Sequence, residues 1–296
     1  MNIAYPATFG EIRPWSRDNG VDSNEGRVRF AQYAILRGIA SSRTLSELLV
    51  FKGGNALDFV WQPNRSTRDL DFSADMGIVG DTWDPAEVGA LLKDSLRGGL
   101  GIVTAQLGVV FAIHSVTKQP PGPGSTFVTY ALRIGYALPD QGPLIGRLAQ
   151  GLPSPQVIPV EVSLNEPICA DRPTDIRATH TLRVSTLEDI VAEKLRALLQ
   201  QPLRNRGRRQ DLLDIAVILG ANPHLDHALV AAFLERKARA RGVPVSRAAF
   251  RAPEIARRAS QDYEALRETT RKTFVPFDQA LQSLLNFIGT LTIPEE

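Results

Sequence analysis

Two aspartates, Asp69 and Asp71, alternate with Leu70 and Phe72. This alternation is typical of a β-strand, in which residues two apart project to the same face and lie roughly 7 Å apart at their Cα atoms. Two carboxylates on one face provide the hard oxygen ligands that Mg²⁺ prefers, alongside the oxygens of a bound phosphate. The pair is therefore predicted to hold Mg²⁺, for which Mn²⁺ could substitute.

A glycine pair, Gly53 and Gly54, precedes the two aspartates. It follows Lys52 and the apolar run of residues 48–51. The run predicts a buried strand, and residues 55–61 predict a short helix. Glycine lets a phosphate approach the backbone closely, and the start of a helix would offer it free N–H groups. Taken singly, the glycines fit a plain turn and the aspartates fit a solvated strand edge. Their order favours metal-assisted phosphoryl or nucleotidyl transfer.

These two elements resemble a known family signature. Lys52-Gly53-Gly54, followed by RSTRDLDF over residues 65–72, is similar to the signature of the AbiEii-type nucleotidyltransferase toxins. That family includes the MenT toxins and belongs to the polymerase-β-like nucleotidyltransferase superfamily. A Gly-Gly pair replaces the usual Gly-Ser of the superfamily, as is common in this branch. The resemblance implies an NTP substrate and the following nucleotide-binding residues: Lys52, Gly53, Gly54, Arg65, Thr67 and Arg68.

A second block, EDIVAEKLRAL over residues 188–198 and RRQDLLDIAVIL over 208–219, resembles the second conserved block of the same family. The resemblance implies that Lys194 and Asp211 line the active site, with Asp214 as a structural neighbour. Without the first block, Lys194 would be read as a surface lysine. Asp211 would be read as an acidic residue at the favourable end of a helix dipole.

The resemblance implies a third carboxylate on a later strand, because the superfamily has one beside its aspartate pair. Residues 156–164 predict a strand in which Glu161 points away from the face of Val160 and Val162. Glu161 is the candidate to complete the metal site or to act as a base. An ordinary exposed glutamate is the alternative.

The order of predicted elements indicates an α/β (α+β) fold. A mixed nucleotidyltransferase sheet with flanking helices is expected in residues 1–178, and an α-helical domain in residues 179–296. Four local features are also expected: an irregular arm over 1–22, a helix that starts at Pro85 and ends at Gly98-Gly99, a β-hairpin with its tip at 119–125, and a loop over 142–155. A capping box of Ser185 and Glu188 is expected to open the first helix of the α-helical domain.

Composition limits the classes of protein that fit. The single cysteine, Cys169, cannot form an internal disulfide, which fits a reducing cytoplasm. No apolar run approaches the ~18 residues of a membrane span, so no membrane contact is expected. Net charge is +2, but residues 204–272 carry 15 Lys and Arg against eight Asp and Glu. This basic segment fits a polyanionic partner such as RNA, or simply a set of solvated helices.

The family resemblance implies a toxin of a toxin–antitoxin or phage-defence pair. Related toxins transfer nucleotides to the 3′ end of tRNA and so block translation, and their cognate antitoxin is an AbiEi-like winged-helix protein. Two alternatives stay open. One is a nucleotidyltransferase or kinase that acts on a protein or small molecule. The other is a non-catalytic nucleotide-binding regulator, against which the intact aspartate pair argues.

Overall fold

The computed structural model describes residues 4–65, 67–79, 84–121 and 127–296. The chain divides into two compact units. The first comprises Met1–Pro63, Thr67–Glu166 and Asp171–Val184, and the second comprises Asn64–Ser66, Pro167–Ala170 and Ser185–Glu296. The predicted domain boundary between residues 178 and 179 stays a prediction.

The first unit is built on one mixed sheet of seven strands. They are β1 (Leu49–Lys52), β2 (Leu70–Ala74), β3 (Val110–Gln119), β4 (Thr129–Ala137), β5 (Val157–Ser163), β6 (Asp171–Thr174) and β7 (Leu182–Ser185). Their order in the sheet is β3-β4-β5-β2-β1-β7-β6. β2 is antiparallel to β1 and parallel to β5, and β1 is parallel to β7. β3, β4 and β5 are antiparallel neighbours, which confirms the predicted hairpin; residues 122–126 of its tip lie outside the described residues.

Seven helices accompany this sheet in the described part of the first unit. They are α1 (Ile12–Asp18), α2 (Ser23–Ser41), α3 (Arg43–Leu48), α4 (Gly53–Ala56), α5 (Met76–Val79), α6 (Pro85–Leu107) and α7 (Gly142–Ala149). A 3₁₀ turn covers Phe9–Glu11, and a π-helical turn over Leu57–Trp61 continues α4. Asp22 caps α2 by accepting the backbone N–H of Glu25 at 2.8 Å. The predicted α/β architecture is confirmed.

Three local predictions are wrong. Residues 12–18 of the expected arm form α1, because Tyr5 and Ile12 supply buried apolar contacts. The loop expected over 142–155 contains α7, which Pro143 in its first turn helps to start. α6 continues through Gly98 and Gly99 to Leu107, because a Cβ at Gly99 would collide with the carbonyl of Gly38 on α2. The glycine therefore permits close helix packing and does not end the helix.

The second unit is helical, as predicted. Its helices are α8 (Leu187–Leu199), α9 (Gln201–Arg204), α10 (Arg209–Ala221), α11 (His227–Ala240), α12 (Arg247–Arg251), α13 (Pro253–Ser260) and α14 (Phe277–Thr290), with a 3₁₀ helix at Tyr263–Thr269. The cap of α8 lies one residue later than predicted. Thr186, whose hydroxyl accepts the N–H of Asp189 at 3.3 Å, takes this position because Ser185 still belongs to β7.

A buried ion pair stabilises the second unit away from the predicted site. Lys237 contacts Asp189 at 3.1 Å and donates to the carbonyl of Pro167 at 3.0 Å. The same carboxylate accepts the backbone N–H of Cys169 at 3.1 Å. These contacts attach the segment Pro167–Ala170 to α8 and α11.

None of the helices in the described ranges is long and apolar enough to span a membrane.

Candidate active site

Three charged residues lie in one row across the sheet of the first unit. Lys52 on β1 pairs with Asp71 on β2, and Asp71 pairs with Glu161 on β5. Side chains of directly opposite residues share a face of a sheet. Asp69 lies just before β2, and its charge acts on Asp71. The structure therefore brings together the three carboxylates that the sequence predicts for the metal site.

The electrostatics of this row centre on Asp71. Burial raises the pKa of Asp71 to about 7, and the charges of Asp69, Glu161 and Glu166 act in the same direction. Lys52 opposes them, but its ammonium also forms an ion pair with Glu166. Four carboxylates thus share one nearby lysine. A divalent cation would relieve this excess of negative charge, so the donor set fits Mg²⁺.

The described residues contain no group of three or more His, Cys, Asp or Glu already arranged around a metal position. Glu161 is exposed, whereas Asp69 and Asp71 are half-buried. The assignment of Mg²⁺ to Asp69, Asp71 and Glu161 stays a prediction.

Gly53 lies directly against Asp71. Its φ of +76° is in the left-handed region, and a Cβ built on it would come 2.5 Å from Oδ2 of Asp71. Only glycine fits both conditions without strain. Gly53 and Gly54 start α4, so their backbone and the carboxylate row adjoin, as the predicted phosphate cradle requires.

A buried polar network holds the backbone just before Asp71. Asn55 donates to the carbonyls of Thr67, at 3.0 Å, and of Asp69. Arg29 donates to the carbonyl of Thr67 at 2.7 Å, and Gln32 donates to that of Arg68 at 2.9 Å. Buried carbonyls with several donors are held in one orientation. The network therefore fixes the direction in which the two aspartates leave the chain.

Sequence reasoning missed Arg29, Gln32 and Asn55. The first two lie on the buried side of α2, among residues such as Phe30 and Tyr33 that are fully buried. An arginine and a glutamine within the apolar stripe of a helix were the available signal, because such groups are buried only when they have partners.

The remaining site residues lie in the second unit, around Asp214. Lys194 donates to Asp214 at 2.7 Å and to Asp211 at 2.9 Å. Arg65 donates to Asp214 through Nη2 at 3.0 Å and through Nε at 3.3 Å. Asp214, predicted as a neighbour, is thus the centre of this cluster, and we call these four residues the Lys194 cluster.

Charge balance within the Lys194 cluster is close. Burial would raise the pKa of Asp214, but Lys194 and Arg65 outweigh it and lower that pKa to about 2. Burial would lower the pKa of Lys194, but Asp211 and Asp214 outweigh it and raise that pKa. Lys194 and Asp214 are therefore both charged at neutral pH. The guanidinium of Arg65, predicted to contact phosphates, is bound to Asp214 in the structure.

The last two predicted nucleotide contacts differ in exposure. The hydroxyl of Thr67 lies 3.5 Å from the carbonyl of Asp69 and can donate to it, whereas Arg68 is exposed. Ser66 of the family signature lies outside the described residues. Lys52, Gly53, Gly54, Asp69, Asp71 and Glu161 belong to the first unit, and Arg65, Lys194 and Asp211 to the second. Their action as one site stays a prediction.

Comparison with known proteins agrees with this reading of the fold. Residues 34–283 match the model of the family described as nucleotidyl transferase AbiEii toxin, type IV toxin–antitoxin system. The chain belongs to this family of nucleotidyltransferase toxins.

The chain is similar to the following three solved structures, the first of which shows the same fold. MenT4, a nucleotidyltransferase toxin from Mycobacterium tuberculosis H37Rv, is 19% identical over 95% of this chain and 90% of its own, with a TM-score of 0.56. JHP933 from Helicobacter pylori is 13% identical over 90% of this chain and 89% of its own, with a TM-score of 0.46. A putative nucleotidyltransferase from H. pylori is 14% identical over 90% and 92%, with a TM-score of 0.47. A search of curated proteins found no match to this chain.

Proposed function

We propose that this chain is a Mg²⁺-dependent enzyme that transfers nucleotides from an NTP to the 3′ end of tRNA and thereby blocks translation. The observation that carries the proposal is the row Lys52, Asp71 and Glu161 beside Gly53, in a member of a nucleotidyltransferase family. Excess carboxylate charge beside a glycine backbone suits a metal ion that bridges to a triphosphate.

The chemistry is an exchange of phosphate ester bonds. The 3′ hydroxyl oxygen of the RNA forms a bond to the α-phosphorus of the NTP, the bond from that phosphorus to the bridging oxygen breaks, and pyrophosphate leaves. The hydroxyl proton passes to water, or to Glu161 in the alternative in which Glu161 acts as the base and not as a metal ligand. Bound to Asp69, Asp71 and Glu161, Mg²⁺ would lower the pKa of the hydroxyl and offset the charge of the departing pyrophosphate. Mn²⁺ is expected to replace it.

The chain's own residues position the substrates. Lys52 and the N–H groups of Gly53 and Gly54 bind the triphosphate, since Lys52 can exchange Glu166 for a phosphate oxygen. Thr67 and Arg68 add contacts on the β2 side. Lys194, held by Asp211 and Asp214, presents a fixed positive charge, and Arg65 holds Asp214 in place. The network of Arg29, Gln32 and Asn55 keeps the two aspartates in place.

The biological setting is proposed from the family. We expect the enzyme to act in the cytoplasm against its own host or an infecting phage, and to be opposed by a cognate AbiEi-like winged-helix antitoxin. The family description, which names a type IV toxin–antitoxin system, supports an antitoxin partner.

Incubation of the protein with total tRNA and each labelled NTP in turn, with Mg²⁺, tests the proposal. Label should enter tRNA from one or more NTPs, and Asp69→Ala should abolish both the transfer and growth arrest on expression. The circular dichroism of the variant should match the wild type. Label in a protein or small molecule, but none in RNA, would show that the acceptor is wrong. Full activity of Asp69→Ala would show that the metal assignment is wrong.

A further inference from the structure

A cavity of about 490 Å³ lies where β4 ends and β5 starts in the first unit, outside the carboxylate row. It is lined by the N-terminal part of α2, by Arg68 before β2, by the end of β4 and by the start of β5. Cavities of this size hold a nucleotide-sized ligand. We call it the Arg133 pocket, after its exposed arginine on β4.

Positive charge dominates the Arg133 pocket. Arg27, Arg68 and Arg133 all line it. Arg27 is paired with Asp140. Arg68 and Arg133 are exposed, and within the described ranges neither guanidinium group makes a hydrogen bond or an ion pair. Two unpaired guanidinium groups at a concave surface are suited to phosphate, which they can bind with two parallel hydrogen bonds each.

The neighbouring groups respond to this charge. Burial raises the pKa of Tyr136, and the charges of Arg27 and Arg68 oppose that rise. Burial and the charge of Arg133 lower the pKa of His114, so His114 is neutral at pH 7.

The buried Oε1 of Gln156, which also lines the pocket, has no hydrogen-bond partner within the described part of the chain. A ribose hydroxyl or base amine would satisfy it after rotation of the side chain.

The order of the strands shows on which side of the two aspartates the Arg133 pocket lies. β2, which carries the two aspartates, lies between β1 and β5. Lys52 and Gly53 lie on the β1 side, whereas Arg133 pairs with Pro159 of β5, one residue before the pair of Leu70 with Val160. The pocket therefore begins level with Asp69 but on the opposite side from the glycines. A transferase needs two substrates that flank its metal.

We propose that the Arg133 pocket binds a backbone phosphate of the acceptor RNA near its 3′ end, while the NTP occupies the glycine side. The inference rests on the proposed function and adds to it a binding site on the first unit. Arg133 holds this phosphate, Arg68 at the β2 side of the pocket contacts the NTP, and Gln156 accepts from the adjoining nucleotide. The bound strand then leads its 3′ hydroxyl past Asp69 towards the α-phosphorus.

Binding of a fluorescein-labelled tRNA acceptor-stem hairpin, measured by anisotropy from 50 to 300 mM KCl without NTP, tests the proposal. Arg133→Gln should weaken binding about 5-fold to 10-fold and reduce the slope of log K against log salt by about 0.7 to 0.9, the loss of one phosphate contact. Arg133→Lys should restore part of the affinity because it keeps the charge. Arg97→Gln removes an equal charge from the surface of α6, where Arg97 pairs with Asp94, and should leave binding unchanged.

A second variant separates ligand binding from folding. Gln156→Leu should lower RNA affinity and leave thermal stability equal to or above that of the wild type, since Oε1 has no partner to lose. In transfer assays, Arg133→Gln should raise the KM for RNA about 5-fold or more and leave the KM for NTP unchanged.

Three outcomes would overturn the inference. Wild-type affinity of Arg133→Gln for RNA, in a protein that does transfer nucleotides to RNA, would refute the pocket alone. A raised KM for NTP with an unchanged KM for RNA would assign the pocket to the donor nucleotide. Absence of RNA binding by the wild type would remove the pocket's ligand and the RNA acceptor of the proposed function together.

Discussion

The ammonium of Lys194 lies 2.7 Å from Oδ2 of Asp214, and both side chains are buried. Asp214 also receives Arg65, while Lys194 also reaches Asp211. Lys194 and Asp214 thus each have two oppositely charged partners. A buried charge that keeps a partner after a substitution costs less than one left alone, so roles in catalysis and in stability can be separated by mutation.

Lys194→Ala is expected to lower transfer at least ~100-fold, the scale of one preorganised electrostatic group. Lys194→Arg should recover only part of the loss, because its planar head need not fit between Asp211 and Asp214. The measurement is kcat at saturating NTP and RNA. Lys237→Met, which removes a buried lysine paired with Asp189, is the matched control: it should lower stability but leave kcat of the folded enzyme intact. Near-wild-type kcat for Lys194→Ala would refute a catalytic role.

Asp214 should make stability depend on acid pH. Its native pKa, about 2, is below the ordinary value of 3.8, so the carboxylate stabilises the fold above pH ~4 and this stabilisation is lost as pH falls towards 2. The difference corresponds to about 2–3 kcal/mol. Urea unfolding between pH 6 and 3 should show a shallower pH dependence for Asp214→Asn than for the wild type. Asp18→Asn, at an exposed position, should keep the wild-type dependence. Equal slopes for wild type and Asp214→Asn would contradict the assignment.

Asp71 should act in the opposite direction. Its native pKa, about 7, is above the ordinary 3.8, so its ionisation opposes folding progressively as pH rises from about 4 to 7. Asp71→Asn should therefore stabilise the metal-free protein at pH 8 by about 2–4 kcal/mol, and much less at pH 4. Transfer should be lost. Thermal unfolding at both pH values, with and without Mg²⁺ or Mn²⁺, provides the measurement.

Added metal ions test whether Asp71 also binds a metal, beyond the effect of its buried charge on stability. Added Mn²⁺ should raise the unfolding temperature of the wild type at pH 8 and leave that of Asp71→Asn unchanged. An equal response of the two proteins would place the metal elsewhere.

Gly53→Ala should lower both stability and transfer. The new Cβ would meet Oδ2 of Asp71, and the φ of +76° is unfavourable for alanine, a combined cost of about 1–3 kcal/mol. Gly98→Ala on α6 is the control, because its Cβ meets no atom within 4 Å and alanine favours a helix by about 0.5–1 kcal/mol. Transfer and urea unfolding are measured for both. Wild-type transfer by Gly53→Ala would show that the close contact with Asp71 has no role in the site.

Local sequence patterns predicted the elements that carry the row of charges. The alternation around Asp69 and Asp71 predicted β2, and the alternation around Glu161 predicted β5. The pairing of these strands was not accessible, because 90 residues separate each paired residue of β2 from its partner on β5. Register depends on such long-range packing, so the position of Glu161 opposite Asp71 required the structure.

Local sequence patterns do not reveal contacts with residues far along the chain, as Gly99 and Arg65 illustrate. Gly99 looks like a helix terminator, but it allows α6 to approach Gly38. Arg65 stays a predicted phosphate ligand, and its contact with Asp214 was not accessible from the sequence. In both cases a tertiary partner far along the chain determines the conformation or the contact, and no local window contains that partner.

The parallel pairing of β1 with β7 has a consequence for how the protein is made. The partners of Val50 and Phe51 are Arg183 and Val184, more than 130 residues later. Pairing over such separations is slow and waits until the later strand has left the ribosome. Asp71 likewise gains Glu161 only after β5 has been synthesised. A nascent or prematurely ended chain that stops before residue 157 therefore lacks Glu161 and cannot complete this row of charges, so we expect the proposed transfer activity only late in translation.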